Sequence, residues 1–267
     1  MYQSADTTHA EFIAKHVDEQ SIEPEILEYL HTIRPSPHII SLLDAIPTET
    51  GKWLIFPKMR TLDNYYMFAD NPQLGGTSAQ LGCDLMEGLA YLHESGVAHL
   101  DVKPRNLVFT DDFHLLLIDF DTAVRVGSED EMVEGVYGTR GWMAPEIQEQ
   151  SLYSPIRADR WSCGKVIFCL LKKSGTEDGD LGRFAKQLMN DNPLHRPSLV
   201  DWSEQVDLTL YDDADADEVE EGGEKKSETL ALVEEDIGVD DGLELPATKR
   251  PRVDVGLDED DRIPTAH

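Results

Sequence analysis

Basic side chains are scarce in this chain: 23 Lys and Arg face 53 Asp and Glu among 267 residues, a formal net charge of −30. A field of that sign repels nucleic acid and anionic lipid at long range, so no direct nucleic-acid partner is expected. Long apolar runs are missing too. The longest, Val166–Leu171, falls far short of the ~18 residues of a membrane span, so no membrane partner is expected. Met1–Glu11 is too polar for a secretory signal. The three cysteines, Cys83, Cys163 and Cys169, are odd in number and sit in apolar segments. They suit reduced core thiols in a cytoplasmic or nuclear compartment better than a disulfide frame. Glycine is absent from Met1–Ala14, and the chain has no internal repeat.

The charge that is present is uneven. Residues 203–267 hold 22 acidic residues against six basic ones, a net −16. Between Asp212 and Glu224 only Ala, Val and Gly separate the charges. Such a segment buries too little apolar surface to offset its chain entropy, so a disordered acidic tail is expected over 203–267. The other residues contain enough apolar side chains for a real core. The pattern there predicts a strand at Glu11–Val17 and a helix from about Ser21, capped by that hydroxyl and stopped by Pro35 and Pro37. Two strands, Ile39–Ile46 and Trp53–Met59, should flank a turn at Pro47–Lys52. A long helix is predicted over Ser78–Glu94, with Thr77 and Gln80 as a capping box, a Leu81, Leu85, Leu89, Leu92 stripe and Gly96 as its stop. Short strands follow at Val97–Leu100, Leu107–Thr110 and His114–Ile118, then helices at Arg160–Leu171 and Leu181–Asn190. The reading is a small strand-bearing part over 1–58 and a mainly helical part over 59–202, with the border near Met59–Asp63.

Between two apolar strands lies His99-Leu-Asp101-Val-Lys103-Pro-Arg-Asn106, and thirteen residues further on Asp119-Phe-Asp121. Phosphoryl transfer needs a carboxylate to orient a hydroxyl and accept its proton, a cation by the moving phosphoryl group, and oxygen ligands for Mg²⁺. Asp101, Lys103 and the pair Asn106 with Asp119 are of the right types. Each alone is far more often part of a solvated loop or a cap.

Together these residues resemble the catalytic loop and metal-binding triplet of eukaryotic protein kinases. Three more segments add to the resemblance: Gly138-Thr-Arg-Gly-Trp-Met-Ala-Pro-Glu146, Asp159-Arg-Trp-Ser-Cys-Gly164 and Asn192-Pro-Leu-His-Arg-Pro197. They are similar to the end of the activation segment, the start of the central helix and the closing motif whose arginine, here Arg196, pairs with the glutamate at Glu146. The resemblance covers about residues 12–200. It implies an α+β, bilobal kinase-like fold with a truncated β-rich N-lobe and a mainly helical C-lobe, followed by the disordered tail. It also implies ATP and Mg²⁺ as cofactors.

By the same resemblance Asp101 is the base, Lys103 stabilises the transferring phosphoryl group, and Asn106 and Asp119 hold the metal. Lys15, in Phe12-Ile-Ala-Lys-His-Val17, grips the phosphates, and Glu23 is its partner, with Glu25 as the fallback. Met59 offers its backbone N–H to adenine next to Phe56 and Pro57. Thr139 and the Asp-Val-Lys-Pro form of the loop favour a Ser or Thr hydroxyl on a protein substrate.

The chain also departs from the family. Met1–Ala14 cannot form a glycine-rich hairpin, which leads to an expectation of weak ATP affinity. Leu100 replaces the loop arginine, so activation by phosphorylation of the segment is not expected. Asp121 replaces a glycine. Only about 25 residues separate the central helix from Arg196, too few for the family's usual set of helices there.

A Ser/Thr protein kinase is the leading reading. The alternatives are a pseudokinase acting as a binding or scaffold module, and a small-molecule kinase of the aminoglycoside type, which shares the His-x-Asp and Asn spacing but not the Ala-Pro-Glu motif. In the tail, Lys249, Arg250 and Arg252 resemble a nuclear-import signal, with importin as the partner and a cytoplasmic or nuclear location.

Overall fold

The computed structural model describes residues 11–63, 75–149 and 152–202. The tail from 203 to 267, and with it Lys249, Arg250 and Arg252, lies outside the described residues. The first part is a three-stranded antiparallel sheet of β1 (Phe12–Asp18), β2 (Asp44–Thr48) and β3 (Gly51–Pro57), in the order β1-β3-β2. Helix α1 (Glu23–Ile33) joins β1 to β2 and buries Ile26, Leu27 and Leu30. Lys15 sits at the middle of β1, opposite Leu54 of β3, whose fully buried side chain fixes that register against the core.

Between Pro57 and Arg60 the chain leaves this sheet for a second one, made of β4 (Arg60–Thr61), β6 (Leu107–Phe109) and β7 (Leu115–Leu117). Two short strands, β5 (Val97–Ala98) and β8 (Val124–Arg125), pair on their own. The helices that follow are α2 (Gly75–Glu94), α3 (Pro145–Gln148), α4 (Pro155–Ser174) and α5 (Asp180–Leu188). The result is an α+β, bilobal kinase-like fold. Between α4 and Arg196 stand only α5 and a 3-10 turn at Pro193–His195.

One apolar core joins the two parts. Leu54 and Phe56 from β3 and Leu27 and Leu30 from α1 meet Leu85, Leu89 and Leu92 of α2 and Val166, Ile167 and Leu170 of α4. The leucine stripe of α2 is buried as its 3.6-residue period requires. Gly96 closes α2 with φ +67°, a left-handed turn that glycine adopts without strain. Cys83, Cys163 and Cys169 are free thiols, each pushed above its ordinary pKa by burial.

Four local readings need correction. Helix α2 begins at Gly75, so Thr77 lies inside it, and Gln80 donates to Asp84 Oδ1 at 2.7 Å instead of completing a capping box. Ile22, not Ser21, is the N-cap of α1. The strand expected from Ile39 starts at Asp44 because the backbone of Ile39–Ile40 bonds to β7 instead: Leu117 N–H donates to His38 O at 2.8 Å, and Ile40 N–H to Leu117 O at 3.1 Å. Helix α4 also begins five residues before Arg160, where Ser154 Oγ accepts Arg157 N–H at 3.2 Å.

Candidate active site

The loop after β5 carries a dense polar cluster. Asp159, fully buried on α4, accepts the backbone N–H groups of His99 at 2.6 Å and Leu100 at 2.8 Å. This carboxylate holds the loop's first turn, in which Leu100 takes φ +64°. His99 N–H and ring do different jobs. Its Nε2 faces the Ile118 carbonyl at 3.0 Å, which can only accept, so Nε2 carries the proton and Nδ1 accepts Asp101 N–H at 3.3 Å.

Asp101 is thereby turned toward three donors. Lys103 Nζ reaches its Oδ2 at 2.8 Å, and Asn106 Nδ2 donates to the same oxygen at 2.9 Å. Thr139 Oγ–H donates to Oδ1 at 2.8 Å while its oxygen accepts from Lys103 Nζ at 2.6 Å. Gly138 makes this approach possible, because a Cβ at that residue would stand 2.5 Å from Leu100 O. The second Asn106 Nδ2 contact, 2.9 Å to Asp101 O, commits the amide NH₂ entirely to Asp101 and turns the amide oxygen the other way.

The second cluster gathers around Lys15. Its Nζ lies 2.7 Å from Glu23 Oε2, 2.5 Å from Asp119 Oδ1 and 2.9 Å from Asp121 Oδ2. Glu23 is 1% exposed, and its other oxygen accepts Phe120 N–H at 3.0 Å. Glu25, by contrast, is exposed. Burial raises the Glu23 pKa against the pull of Lys15. Burial also opposes the charge on Lys15, but Asp119 and Glu23 outweigh it and hold the ammonium pKa above its ordinary value. Oxygens of Glu23, Asp119 and Asp121 all come within 4.8 Å of one another. Hard oxygen donors of this kind suit a divalent cation, and Glu23, already bonded to Lys15 Nζ and Phe120 N–H, is the least free of the three. Asp119 and Asp121 remain 37% and 43% exposed, so a cation can reach them.

Met59 lies between β3 and β4, half-buried against the core, after the buried Phe56 and half-buried Pro57. The segment from Asp119 to Glu146 runs over Leu100, which sits in an apolar cluster with Val124, Tyr137 and Met143. Glu129 pairs with Arg157 at 3.0 Å and with Arg160, and burial of its carboxyl is outweighed by these guanidinium groups, which lower its pKa. Ser154 Oγ–H donates to Glu129 O at 2.7 Å, and Val133 and Tyr153 exchange backbone bonds of 2.9 and 3.1 Å. The end of the segment is clamped by Arg196, which forks onto Glu146 at 2.5 and 2.8 Å.

Four contributors have no such role legible in the sequence: Asp159, Glu129, Arg157, and Ser21, whose hydroxyl donates to Asp121 Oδ1 at 2.8 Å. Asp159 opens a quoted motif, but nothing in its spacing says that it holds the loop. Ser21 looks like a cap, and the acidic run holding Glu129 looks like solvated surface.

A family model described as the protein kinase domain matches residues 4–183. The phosphorylase b kinase gamma catalytic chain, liver/testis isoform, of Bos taurus is 28% identical over 187 residues, covering 62% of this chain and 46% of that protein. CBL-interacting serine/threonine-protein kinase 13 of Arabidopsis thaliana is 31% identical over 139 residues, covering 51% of this chain and 27% of that one. CBL-interacting protein kinase 4 of Oryza sativa is 29% identical over 155 residues, 55% of this chain and 34% of that one. The chain thus spans less than half the length of these curated relatives. With the kinase domain model matched over most of its described residues and a loop, triplet and closing clamp arranged as described, the chain belongs to the protein kinase family.

Proposed function

We propose that the protein is a Ser/Thr protein kinase that transfers the γ-phosphoryl group of ATP to a protein hydroxyl with Mg²⁺ bound. The observation that carries this reading is the closed arrangement at Asp101, whose carboxylate is oriented by Lys103, Asn106 and Thr139 with all four side chains in hydrogen-bond reach. A Ser or Thr hydroxyl beside Asp101 gives up its proton to the carboxylate as its oxygen bonds to the γ-phosphorus, and the bond to the ADP oxygen breaks. Lys103 lies within reach of both Asp101 and Thr139, where it offsets negative charge on the moving phosphoryl group. Lys15, held by Glu23, offers its ammonium to the phosphates, and Met59 offers a backbone N–H to adenine. When bound at Asn106 and Asp119, a divalent cation neutralises phosphate charge. Proteins named as serine/threonine kinases among the relatives support the choice of acceptor.

A second reading, a pseudokinase serving as a binding module, draws on one observation: three carboxylates already surround Lys15. One experiment tests the first against it. The intact chain is incubated with labelled Mg·ATP and a generic basic or acidic protein, beside Asp101→Asn and Asp119→Ala. The kinase reading expects label on Ser or Thr from the wild type alone, and wild-type labelling no greater than either variant's would sink it.

The unit boundaries 1–58, 59–202 and 203–267 and the import role of Lys249, Arg250 and Arg252 belong to the same proposal. A tail-deleted fusion distributing in cells like the full-length protein would remove the import role.

A further inference from the structure

Asp121 stands where the family resemblance places glycine, and its carboxylate joins two elements that glycine could not. One oxygen lies 2.9 Å from Lys15 Nζ, and the other accepts Ser21 Oγ–H at 2.8 Å. Ser21 Oγ in turn accepts the N–H of Glu23, the first residue of α1, at 3.3 Å. The opposite end of α1 is tied down separately. Tyr91 O–H lies 2.8 Å from Leu30 O and 2.5 Å from Arg34 O, and Tyr29 O–H donates to Ser95 O at 3.0 Å. The helix is therefore fastened by tyrosines at its C-terminal end and through Ser21 and Asp121 at its start.

An ammonium has three N–H donors. Lys15 donates to Glu23 and Asp119, and Asp121 Oδ2 is paired with it by charge at 2.9 Å. On the kinase reading Asp119 is the carboxylate drawn to a cation. Glu23 by its hydrogen bond and Asp121 by its charge then hold the ammonium while a freed donor turns to phosphate. With glycine at 121, Lys15 would keep one anchor and the first turn of α1 would lose its tie to the Asp119 loop.

We propose that Asp121 is a positioning residue: with Ser21 it fixes the first turn of α1 and the Lys15 ammonium against the Asp119 loop, so that the Lys15–Glu23 pair persists when Asp119 turns to a cation. The consequence for turnover rests on the kinase reading, whereas the fastening of α1 does not.

Hydrogen exchange of the full chain tests it, comparing wild type with Asp121→Gly, Asp121→Asn, Ser21→Ala and Ser21→Thr. Amide exchange over Glu23–Leu27 is expected to run about tenfold faster in Asp121→Gly and Ser21→Ala, the size of one lost hydrogen bond. Ser21→Thr, which restores the hydroxyl, should return to the wild-type rate, and Asp121→Asn, which keeps an acceptor but loses the charge, should fall between. Exchange near Leu30–Arg34 should not change. Unaltered exchange over Glu23–Leu27 in Ser21→Ala and Asp121→Gly, or Ser21→Thr as fast as Ser21→Ala, overturns the proposal. Where Asp121→Gly fails to fold, the Ser21 pair decides alone. Wild-type labelling no greater than that of Asp101→Asn defeats the kinase reading and leaves the exchange result standing; labelling with unaltered exchange defeats only the positioning role.

Discussion

The protein holds two lysine–carboxylate clusters that are balanced in opposite ways. At Lys103 one ammonium meets one carboxylate, and the other partners, Thr139 and Asn106, are neutral. The side chains of Asp101 and Lys103 are only 12% and 17% exposed. At Lys15 one ammonium faces three carboxylates, two of them more than a third exposed. The first cluster is complete in itself and leaves little to reorganise, which is what a transfer step asks of its base and its cation. The second carries excess negative charge at an open surface, which a divalent cation would relieve. One cluster has the balance of a chemical centre and the other that of a binding site.

The largest expected effect breaks the first cluster. On the proposed kinase reading Asp101→Asn removes the proton acceptor while keeping the size of the side chain, and label transfer should fall by about 10²–10⁴-fold with the melting point near that of the wild type. Chelation by EDTA strikes the second cluster. Transfer should drop to the background of Asp119→Ala and return when Mg²⁺ is added back, while Mg²⁺-independent label on Ser or Thr would contradict the metal role.

A stability effect comes next. Leu100 is 3% exposed under the Asp119–Glu146 segment, so Leu100→Ala should cost about 2–4 kcal/mol in denaturant unfolding. The smallest effect sits at Glu129. Its pKa in the folded protein lies below the ordinary 4.5. Its ionised form therefore adds stability above about pH 4.5, and this is lost as the pH falls through the lower folded value. With the Glu129 side chain 40% exposed, solvent screening limits the contribution to about 1 kcal/mol or less. Glu129→Gln should flatten the acid side of the stability profile by that amount and leave neutral pH activity in place.

How much of this was legible in the sequence differs between the same two clusters. The loop from His99 to Asn106 is contiguous, so its residue types and order already describe its chemistry. The bond from Thr139 could be anticipated only through the family resemblance. The Lys15 cluster is assembled from β1, the start of α1 and the loop at Asp119. There the sequence offered two acidic candidates, Glu23 and Glu25, and burial chose between them: Glu23 turns inward with Ile26 and Leu27, whereas Glu25 faces solvent. Ser21 followed by an acidic first turn reads as a cap, yet its hydroxyl, besides accepting Glu23 N–H, donates to Asp121, a hundred residues away. No local pattern encodes that contact. The Thr77–Gln80 pair failed for the opposite reason: a local pattern was present, but α2 continues past it to Gly75. Likewise Ile39 has the look of a strand, but the pairing available to its backbone is with Leu117 in the other sheet.

The division of labour between the clusters is tested most directly by measuring Mg·ATP binding and label transfer on the same preparations of wild type, Asp101→Asn and Asp119→Ala. Asp101→Asn should bind Mg·ATP within about threefold of the wild type and transfer no label. Asp119→Ala should lose both. Undiminished Mg·ATP binding by Asp119→Ala, or wild-type transfer by Asp101→Asn, would contradict that division.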